Sequence, residues 1–301
     1  MSGTNRPKIG LALGSGGARG WCHIGILRAL EEMGLRPDVI AGSSMGALIG
    51  AVYAGGALDS LENWAAGLTA RDFFGLLDVK LSSGGLVEGA EIVNVIRRLV
   101  PCENIEDLNV PLALVATDMA TGREVWLTEG NLADAVRASV ALPGIISPFR
   151  MGDRWFLDGG LTNPVPVTAC RILGAEVVIA ANPNGRIDGT FWAERERELP
   201  AFWKSWGDRL RDLPAALSGL FEDHAAAEPK PQYLDVIAAS IDIMTDGIRR
   251  AKLAGDPPHV LLDAHLSKLS VLDFHRARKA MEEGRRIVQE NADDISRCAK
   301  L

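Results

Sequence analysis

Ser44 lies in a short pattern that could support covalent chemistry. It occupies the centre of G-S-S-M-G, between Gly42 and Gly46, with Ser43 and Met45 beside it. This pattern is typical of a nucleophile on a sharp turn between a strand and a helix, where glycines let the backbone pass close to itself. The following helix would place its positive end near the hydroxyl. The same pattern also arises by chance in glycine-rich chains, where the serine only caps a helix.

A serine nucleophile needs a base within hydrogen-bond reach, and Asp158 is one candidate. It begins the acid turn Asp158-Gly159-Gly160 after a short apolar run. Asp-Gly is also a common turn dipeptide without catalytic meaning, so this turn gains weight only together with the serine pattern. Histidine is the base in most serine hydrolases. The chain has five, none in a marked local pattern: His23, His224, His259, His265 and His275.

A glycine-rich loop precedes the serine pattern. Its spacing fails the dinucleotide fingerprint G-x-G-x-x-G, because Arg19 stands where the last glycine is required. Consecutive glycines at Gly16 and Gly17 could instead expose backbone amides that bind the negative charge of an acyl-transfer intermediate. A purely structural glycine turn remains the alternative. The other residues of the loop are Gly14, Ser15, Ala18 and Gly20.

Short apolar runs alternate with helical patterns around these motifs. Residues 8–13 and 38–41 are predicted strands that end in glycine turns, and residues 21–33 and 47–54 are predicted helices. This alternation predicts a mainly parallel sheet with helical crossovers. Further helices are predicted at 59–67, 88–100, 132–139, 165–173 and 273–291, and further strands at 111–119, 123–128, 154–157, 176–181 and 260–263.

The composition limits the classes of protein. The 301 residues suit one large α/β domain, 47% of them are apolar and 24% are charged, as in an ordinary globular protein. The net charge of −7 argues against nucleic acid as a partner. No apolar stretch of signal-peptide length follows the basic residues at the N-terminus, and no uninterrupted apolar run reaches the length of a membrane span. We therefore expect a cytoplasmic protein whose four separated cysteines are reduced thiols without metal-ligand spacing.

Read in order, G-S-G-G-A-R-G, G-S-S-M-G and D-G-G resemble the patatin-like phospholipase family. The stretches A-S-V-A-L-P-G-I-I-S-P and F-L-D-G-G-L-T-N-P-V-P-V are also similar to that family. The chain most resembles its compact bacterial members, which are related to the catalytic region of neuropathy target esterase. The resemblance covers residues 8–182 closely and 232–291 more loosely. Ser15 departs from the family's loop, which often begins with three glycines.

The resemblance implies a three-layer α/β fold with a mainly parallel central sheet and a Ser–Asp dyad that uses no histidine. It makes Ser44 the nucleophile, Asp158 the base and the amides of Gly16 and Gly17 the oxyanion donors. Arg19 matches the family's arginine, which would steady the loop or meet a lipid phosphate. The implied substrates are phospholipids or lysophospholipids, cleaved at the carboxylic ester through an acyl-enzyme. The implied chemistry uses no metal and no cofactor.

Two other readings stay open. One is an α/β-hydrolase with a Ser-Asp-His triad, although the serine turn comes after only two strands, which is early for that fold. The other is a lipid- or acyl-binding module without catalysis. We expect residues 1–301 to form a single catalytic domain, with 186–231 as a lid or insertion. The apolar stripe at 199–221 either packs on the main domain or contacts a micelle or the inner membrane face.

Overall fold

The computed structural model describes residues 6–69, 88–185 and 233–300. Segment 186–231, the predicted lid or insertion, lies outside the described residues. The strands are β1 Ile9–Leu13, β2 Val39–Ser43, β3 Leu112–Asp118, β4 Glu124–Leu127, β5 Phe149–Met151, β6 Arg154–Asp158, β7 Val177–Asn182 and β8 Val260–Asp263. The helices are α1 Cys22–Glu32, α2 Met45–Ala54, α3 Leu58–Gly67, α4 Ala90–Leu99, α5 Leu132–Ser139, α6 Val167–Ile172, α7 Tyr233–Gly255, α8 Ala277–Glu290 and α9 Ala292–Ala299.

The strands form one mixed, mostly parallel sheet in the order β5-β6-β3-β2-β1-β7-β8, with β4 also paired to β3. The pairs from β3 through β2, β1 and β7 to β8 are parallel. The pairs that involve β4, β5 and β6 are antiparallel. All residues of β1, β2, β3 and β7 are buried, which explains why these strands are continuous apolar runs without alternation.

Helices cover both faces of the sheet and give the three layers that the sequence predicted. On one face, large side chains such as Leu11, Leu13 and Ile40 pack with the apolar sides of α1, α2 and α8. The other face is lined by small side chains, including Ala12 and Ala41, and packs against α6 and the end of α7. Small residues allow helices to approach the strands closely. Across the described residues, no helix is both long and apolar enough to cross a bilayer.

The predicted elements agree with the observed ones, with four differences. The predicted helix at 273–291 is too long at its start, because residues Phe274–Arg276 form a 3-10 turn before α8 begins. A separate helix, α9, follows it. Strand β5 and helix α7 were not predicted. Strand β5 has only three residues, and the exposed apolar side chains of α7 (Val236, Ile243 and Met244) blur the periodicity of its sequence.

Candidate active site

Strands β2 and β6 meet end to end on one edge of β3. Residues 114–115 of β3 pair with both β2 and β4, and residues 116–117 pair with both β4 and β6. Since a strand has two edges, β2 and β6 must share the edge opposite β4. The last residue of β2, Ser43, pairs with Val115, and the last residue of β6, Asp158, pairs with Ala116. The two strand ends therefore converge on adjacent residues of β3.

This junction brings together the predicted nucleophile and base. The hydroxyl of Ser44 donates to Oδ2 of Asp158 at 2.6 Å, across 114 residues of sequence. The backbone N–H of Gly160 donates to Oδ1 of the same carboxylate at 2.7 Å. Both side chains are buried, with Ser44 8% and Asp158 2% exposed. The carboxylate is thus fixed on one side by the acid turn and faces the serine on the other.

Ser44 adopts an unusual backbone conformation at the turn from β2 into α2. Its φ of 55° and ψ of −121° lie in a region that residues with a Cβ rarely occupy. This conformation lifts the serine out of the strand and starts the helix at Met45. Gly46 permits the turn, because a Cβ at this position would overlap the carbonyl oxygen of Leu13 at the end of β1. The geometry is that of a nucleophile elbow.

Burial changes the acid strength of Asp158. It raises the pKa of this carboxyl from 3.8 to about 6, while the hydrogen bonds from Ser44 and Gly160 oppose the rise. The carboxylate is therefore still ionised at pH 7, but it holds a proton more strongly than an exposed aspartate would. A base with a pKa nearer the working pH is better matched to proton transfer from a hydroxyl.

The glycine loop lies against both partners of this pair. A Cβ on Gly160 would lie 2.8 Å from the hydroxyl of Ser15, and a Cβ on Gly20 would lie 2.5 Å from the Cβ of Met45. The loop therefore contacts the acid turn at one end and the start of α2 at the other. The three motifs that the sequence singled out pack directly on one another.

Two amides of the loop are candidates for anion binding. The N–H groups of Gly14, Ser15 and Ala18 donate to backbone carbonyls of neighbouring segments. Within the described residues, the N–H groups of Gly16 and Gly17 have no hydrogen-bond acceptor. Gly17 has a φ of 52°, and a Cβ there would lie 2.5 Å from the carbonyl oxygen of Val271. The loop thus combines two unpaired donors with a backbone that side chains would disturb.

Arg19 is directed into the protein. It is 7% exposed, its Nε donates to the carbonyl of Leu269 at 2.9 Å, and one terminal nitrogen donates to Asn184 at 2.8 Å. The guanidinium also forms an ion pair with Asp242 of α7 at 3.2 Å. Of the two roles that the sequence left open, these contacts correspond to steadying the loop. A lipid phosphate would have to displace them.

The histidines of the described residues make no hydrogen bond to Ser44 or Asp158. Buried His23 donates through Nε2 to the carbonyl of Gly14 at 2.7 Å, and burial lowers its pKa to about 4, so it is neutral. His259 accepts from the N–H of Val178 through Nδ1 at 3.0 Å. His224 lies outside the described residues. In the parts of the chain that the structure describes, no group of three metal-ligating side chains occurs.

Sequence reasoning missed Ser139, the last residue of α5. Its hydroxyl accepts from the N–H of Ser44 at 2.9 Å and donates to the carbonyl of Val115 at 2.6 Å. Ser139 stands in A-S-V-A-L-P-G, a stretch that carried the family resemblance but had no assigned role. No local pattern marks it, because its two partners lie in distant segments, Ser44 at the start of α2 and Val115 in β3.

The comparisons with known proteins agree with this architecture. The sequence profile described as patatin-like phospholipase matches residues 11–171. An uncharacterized NTE family protein of Mycobacterium tuberculosis is 34% identical over 96% of this chain and 92% of its own length. A solved structure, VipD of Legionella pneumophila, aligns with 14% identity over 100% of this chain and 82% of its own, with a TM-score of 0.35.

Two longer relatives have descriptive names. The lysophospholipase NTE1 of Pyricularia oryzae is 29% identical over 92% of this chain and 18% of its own length. Patatin-like phospholipase domain-containing protein 7 of the mouse is 34% identical over 66% of this chain and 15% of its own length. These two matches therefore concern one region of much larger proteins.

Proposed function

Because the chain belongs to the patatin-like phospholipase family and is a carboxylic ester hydrolase, we propose that it cleaves phospholipids or lysophospholipids with Ser44 and Asp158. The observation that carries this proposal is the 2.6 Å hydrogen bond from the Ser44 hydroxyl to the Asp158 carboxylate. It supports a two-residue mechanism, since the nucleophile already points its proton at a base.

The proposed reaction has two steps. Asp158 accepts the proton as Oγ of Ser44 attacks the ester carbonyl, and the amides of Gly16 and Gly17 stabilise the oxyanion that forms. Collapse of this intermediate breaks the ester bond, and the proton passes from Asp158 to the departing alcohol. The acyl group remains on Ser44. A water molecule then gives its proton to Asp158, attacks the acyl carbonyl and releases the fatty acid, and the proton returns to Ser44.

The raised pKa of Asp158 supports its role as the base. A carboxylate with a pKa of 3.8 would be a weak acceptor for a serine proton at neutral pH, whereas a pKa of about 6 narrows that mismatch. The carboxylate also keeps a backbone donor, Gly160, on its second oxygen. That donor would hold the carboxylate in place while the proton moves at Oδ2.

Turnover by matched variants tests the proposal. We expect Ser44→Ala to abolish hydrolysis of lysophospholipid and of a short p-nitrophenyl ester, and to abolish labelling by a fluorophosphonate. Asp158→Asn should lose activity on the order of 10³-fold while it stays folded. The matched controls are Ser60→Ala and Asp153→Asn, which change exposed residues of the same types. Labelling that moves to Ser43, or full activity in Asp158→Asn, would contradict the mechanism.

The two rival functions predict different results. A triad enzyme would lose turnover when one histidine is replaced in a folded protein, and His224 must be included in that series. A lipid-binding module without catalysis would bind lysophospholipid but turn over no ester and take no fluorophosphonate label. A panel of lysophospholipids, triacylglycerols and short esters also distinguishes among substrate classes within the proposed activity.

Contact with aggregated lipid is also part of the proposal. Trp155 of β6 pairs with Arg150 of β5, the N–H of Met119 just after β3 donates to the carbonyl of Trp155, and all three side chains are exposed. An indole and a thioether beside a guanidinium suit a lipid interface. Trp155→Ala should reduce activity on vesicles and spare a short soluble ester. Equal losses on both substrates would contradict lipid contact at this row.

Peripheral contact at the inner membrane face and a cytoplasmic location remain predictions. The apolar stripe at 199–221, which includes Trp203 and Trp206, lies outside the described residues. The pair Trp203→Ala and Trp206→Ala belongs in the same vesicle assay. Loss confined to vesicles would favour a lid or membrane contact, and loss on both substrates with a lower melting temperature would favour core packing.

A further inference from the structure

The hydrogen-bond ladder between β2 and β3 stops one rung early. The N–H of Ile40 donates to the carbonyl of Pro111. In a parallel ladder this bond recurs every second residue on both strands. Four residues further along each strand, the N–H of Ser44 would therefore donate directly to the carbonyl of Val115. That bond is absent from the described structure.

The hydroxyl of Ser139 is inserted into this missing rung. It accepts from the N–H of Ser44 at 2.9 Å and donates to the carbonyl of Val115 at 2.6 Å. Both backbone groups that the rung would have joined are therefore satisfied through one side-chain oxygen. Ser139 is fully buried, so water cannot readily take its place. The hydroxyl separates the two backbones by one additional atom at the position where β2 leaves β3.

The insertion coincides with the unusual conformation of the nucleophile. In a strand that continued alongside β3, Ser44 would have the extended conformation of β2, with a negative φ. The observed φ is 55°, and Ser44 is one of two residues other than glycine with a positive φ in the described chain. The inserted hydroxyl thus accepts the amide hydrogen of Ser44 while the backbone turns away from the sheet.

We propose that Ser139 is a positioning residue whose hydroxyl, inserted into the last β2–β3 rung, holds Ser44 in the conformation that aims its Oγ at Asp158. The inference rests on the proposed function only in treating Ser44 as the nucleophile. Ser139 itself is not placed to touch the substrate carbonyl, and it acts through the backbone of Ser44. It should therefore govern the rate of acylation and leave substrate binding largely intact.

The test is Ser139→Ala, compared with Thr168→Val. The control removes a hydroxyl that bonds Asp256 at 2.6 Å, before β8 at the opposite edge of the sheet, so it loses one hydrogen bond away from the elbow. We expect Ser139→Ala to lower kcat on a short soluble ester on the order of 10²-fold, because displaced reacting groups lose rate steeply. The rate constant for fluorophosphonate labelling should fall in parallel, and KM should change little.

The outcomes decide between positioning and ordinary structural support. Equal kcat values for Ser139→Ala and Thr168→Val, measured below both melting temperatures, would overturn the proposal. So would a rise in KM with an unchanged kcat. If Ser139→Ala does not fold, Ser139→Cys replaces it, because a thiol fills the space but is a weak hydrogen-bond donor and acceptor. A folded Cys variant labelled at the wild-type rate would also overturn the proposal.

A crystal structure of Ser139→Ala gives a readout that is independent of catalysis. We expect the N–H of Ser44 to bond Val115 directly and φ of Ser44 to become negative. An unchanged φ would contradict the inference. If the wild type neither hydrolyses esters nor takes the label, the proposed function fails, and this backbone readout still tests Ser139.

Discussion

Removal of the buried charge at Asp158 should lower activity on the order of 10³-fold and stabilise the fold at alkaline pH. In Asp158→Asn the new side chain would have nearly the same shape, and its carbonyl oxygen could still accept from Gly160. Asparagine cannot take the proton of Ser44, so hydrolysis should slow on the order of 10³-fold. It also carries no charge, and the cost of keeping an ionised carboxylate away from water disappears.

The size of this effect follows from the pKa of Asp158. The rise from 3.8 to about 6 corresponds to about 3 kcal/mol, since one pKa unit is about 1.4 kcal/mol. The folded protein binds this proton more tightly than the unfolded chain does. The contribution to stability is therefore complete below pH 4, decreases as the pH rises, and is lost above pH 6. At pH 8 the Asn variant should be more stable than wild type by up to about 3 kcal/mol.

Thermal unfolding between pH 4.5 and 8.5 measures this difference. For a chain of this size, about 3 kcal/mol corresponds to a rise in Tm of roughly 5 °C at pH 8, shrinking towards pH 4.5. Ser44→Ala is the control, because it also loses activity but keeps the buried carboxylate. Its Tm should also fall as the pH rises, with the midpoint at a higher pH than in wild type, because the hydrogen bond from Ser44 lowers the pKa of Asp158. The kcat/KM of wild type should rise with pH and level off above an apparent pKa near 6.

Two results would refute this reasoning. One is a difference in Tm between Asp158→Asn and wild type that is the same at pH 5 and pH 8. The other is an Asn variant that is less stable than wild type at pH 8. Either would mean that burial does not penalise the charge of Asp158, and the argument for a strengthened base would fail with it.

Three further predictions concern the loop and the histidines. Gly17→Ala should lower kcat, and it should lower the stability of the fold, and with it Tm, by about 1–3 kcal/mol, because φ of Gly17 is positive and a Cβ would press on Val271. An unchanged kcat would place the oxyanion donors elsewhere. Arg19→Lys should destabilise the fold by about 3 kcal/mol, because lysine cannot reproduce the buried contacts of the forked guanidinium. KM should change equally for charged and neutral esters. A KM increase for phospholipids alone would indicate that Arg19 binds the lipid phosphate. His23→Gln and His259→Ala should retain substantial turnover, and inactivity of either folded variant would favour a triad.

The sequence predicted those parts of the fold and site that depend on neighbouring residues. The elbow around Ser44 and the loop at Gly16 were recognisable because glycines and short apolar runs mark a strand, a turn and a helix. Asp158 was found through its turn and the family resemblance. The raised pKa of Asp158 was not predictable, since it comes from burial by distant segments.

The supporting contacts were beyond local reasoning for a similar reason. Ser139 is 95 residues from Ser44, and Asp242 is 223 residues from Arg19. Serine and aspartate are common on ordinary helices, so nothing in their immediate sequence distinguishes these two. Their roles depend on the order of strands in the sheet, which alternation of strands and helices does not specify.

The meeting of β2 and β6 on one edge of β3 limits how this site can change during evolution. Both strands are aligned by the same stretch of β3, so the offset between Ser44 and Asp158 is fixed in whole residues. A shift of β6 by one residue would move Asp158 about 3.4 Å and turn its side chain to the other face. Substitutions therefore cannot change the separation of Ser44 and Asp158 by small amounts. During evolution the pair can be kept or lost, but it cannot pass through intermediate separations. Loops between the strands can lengthen freely, because none of them sets that offset.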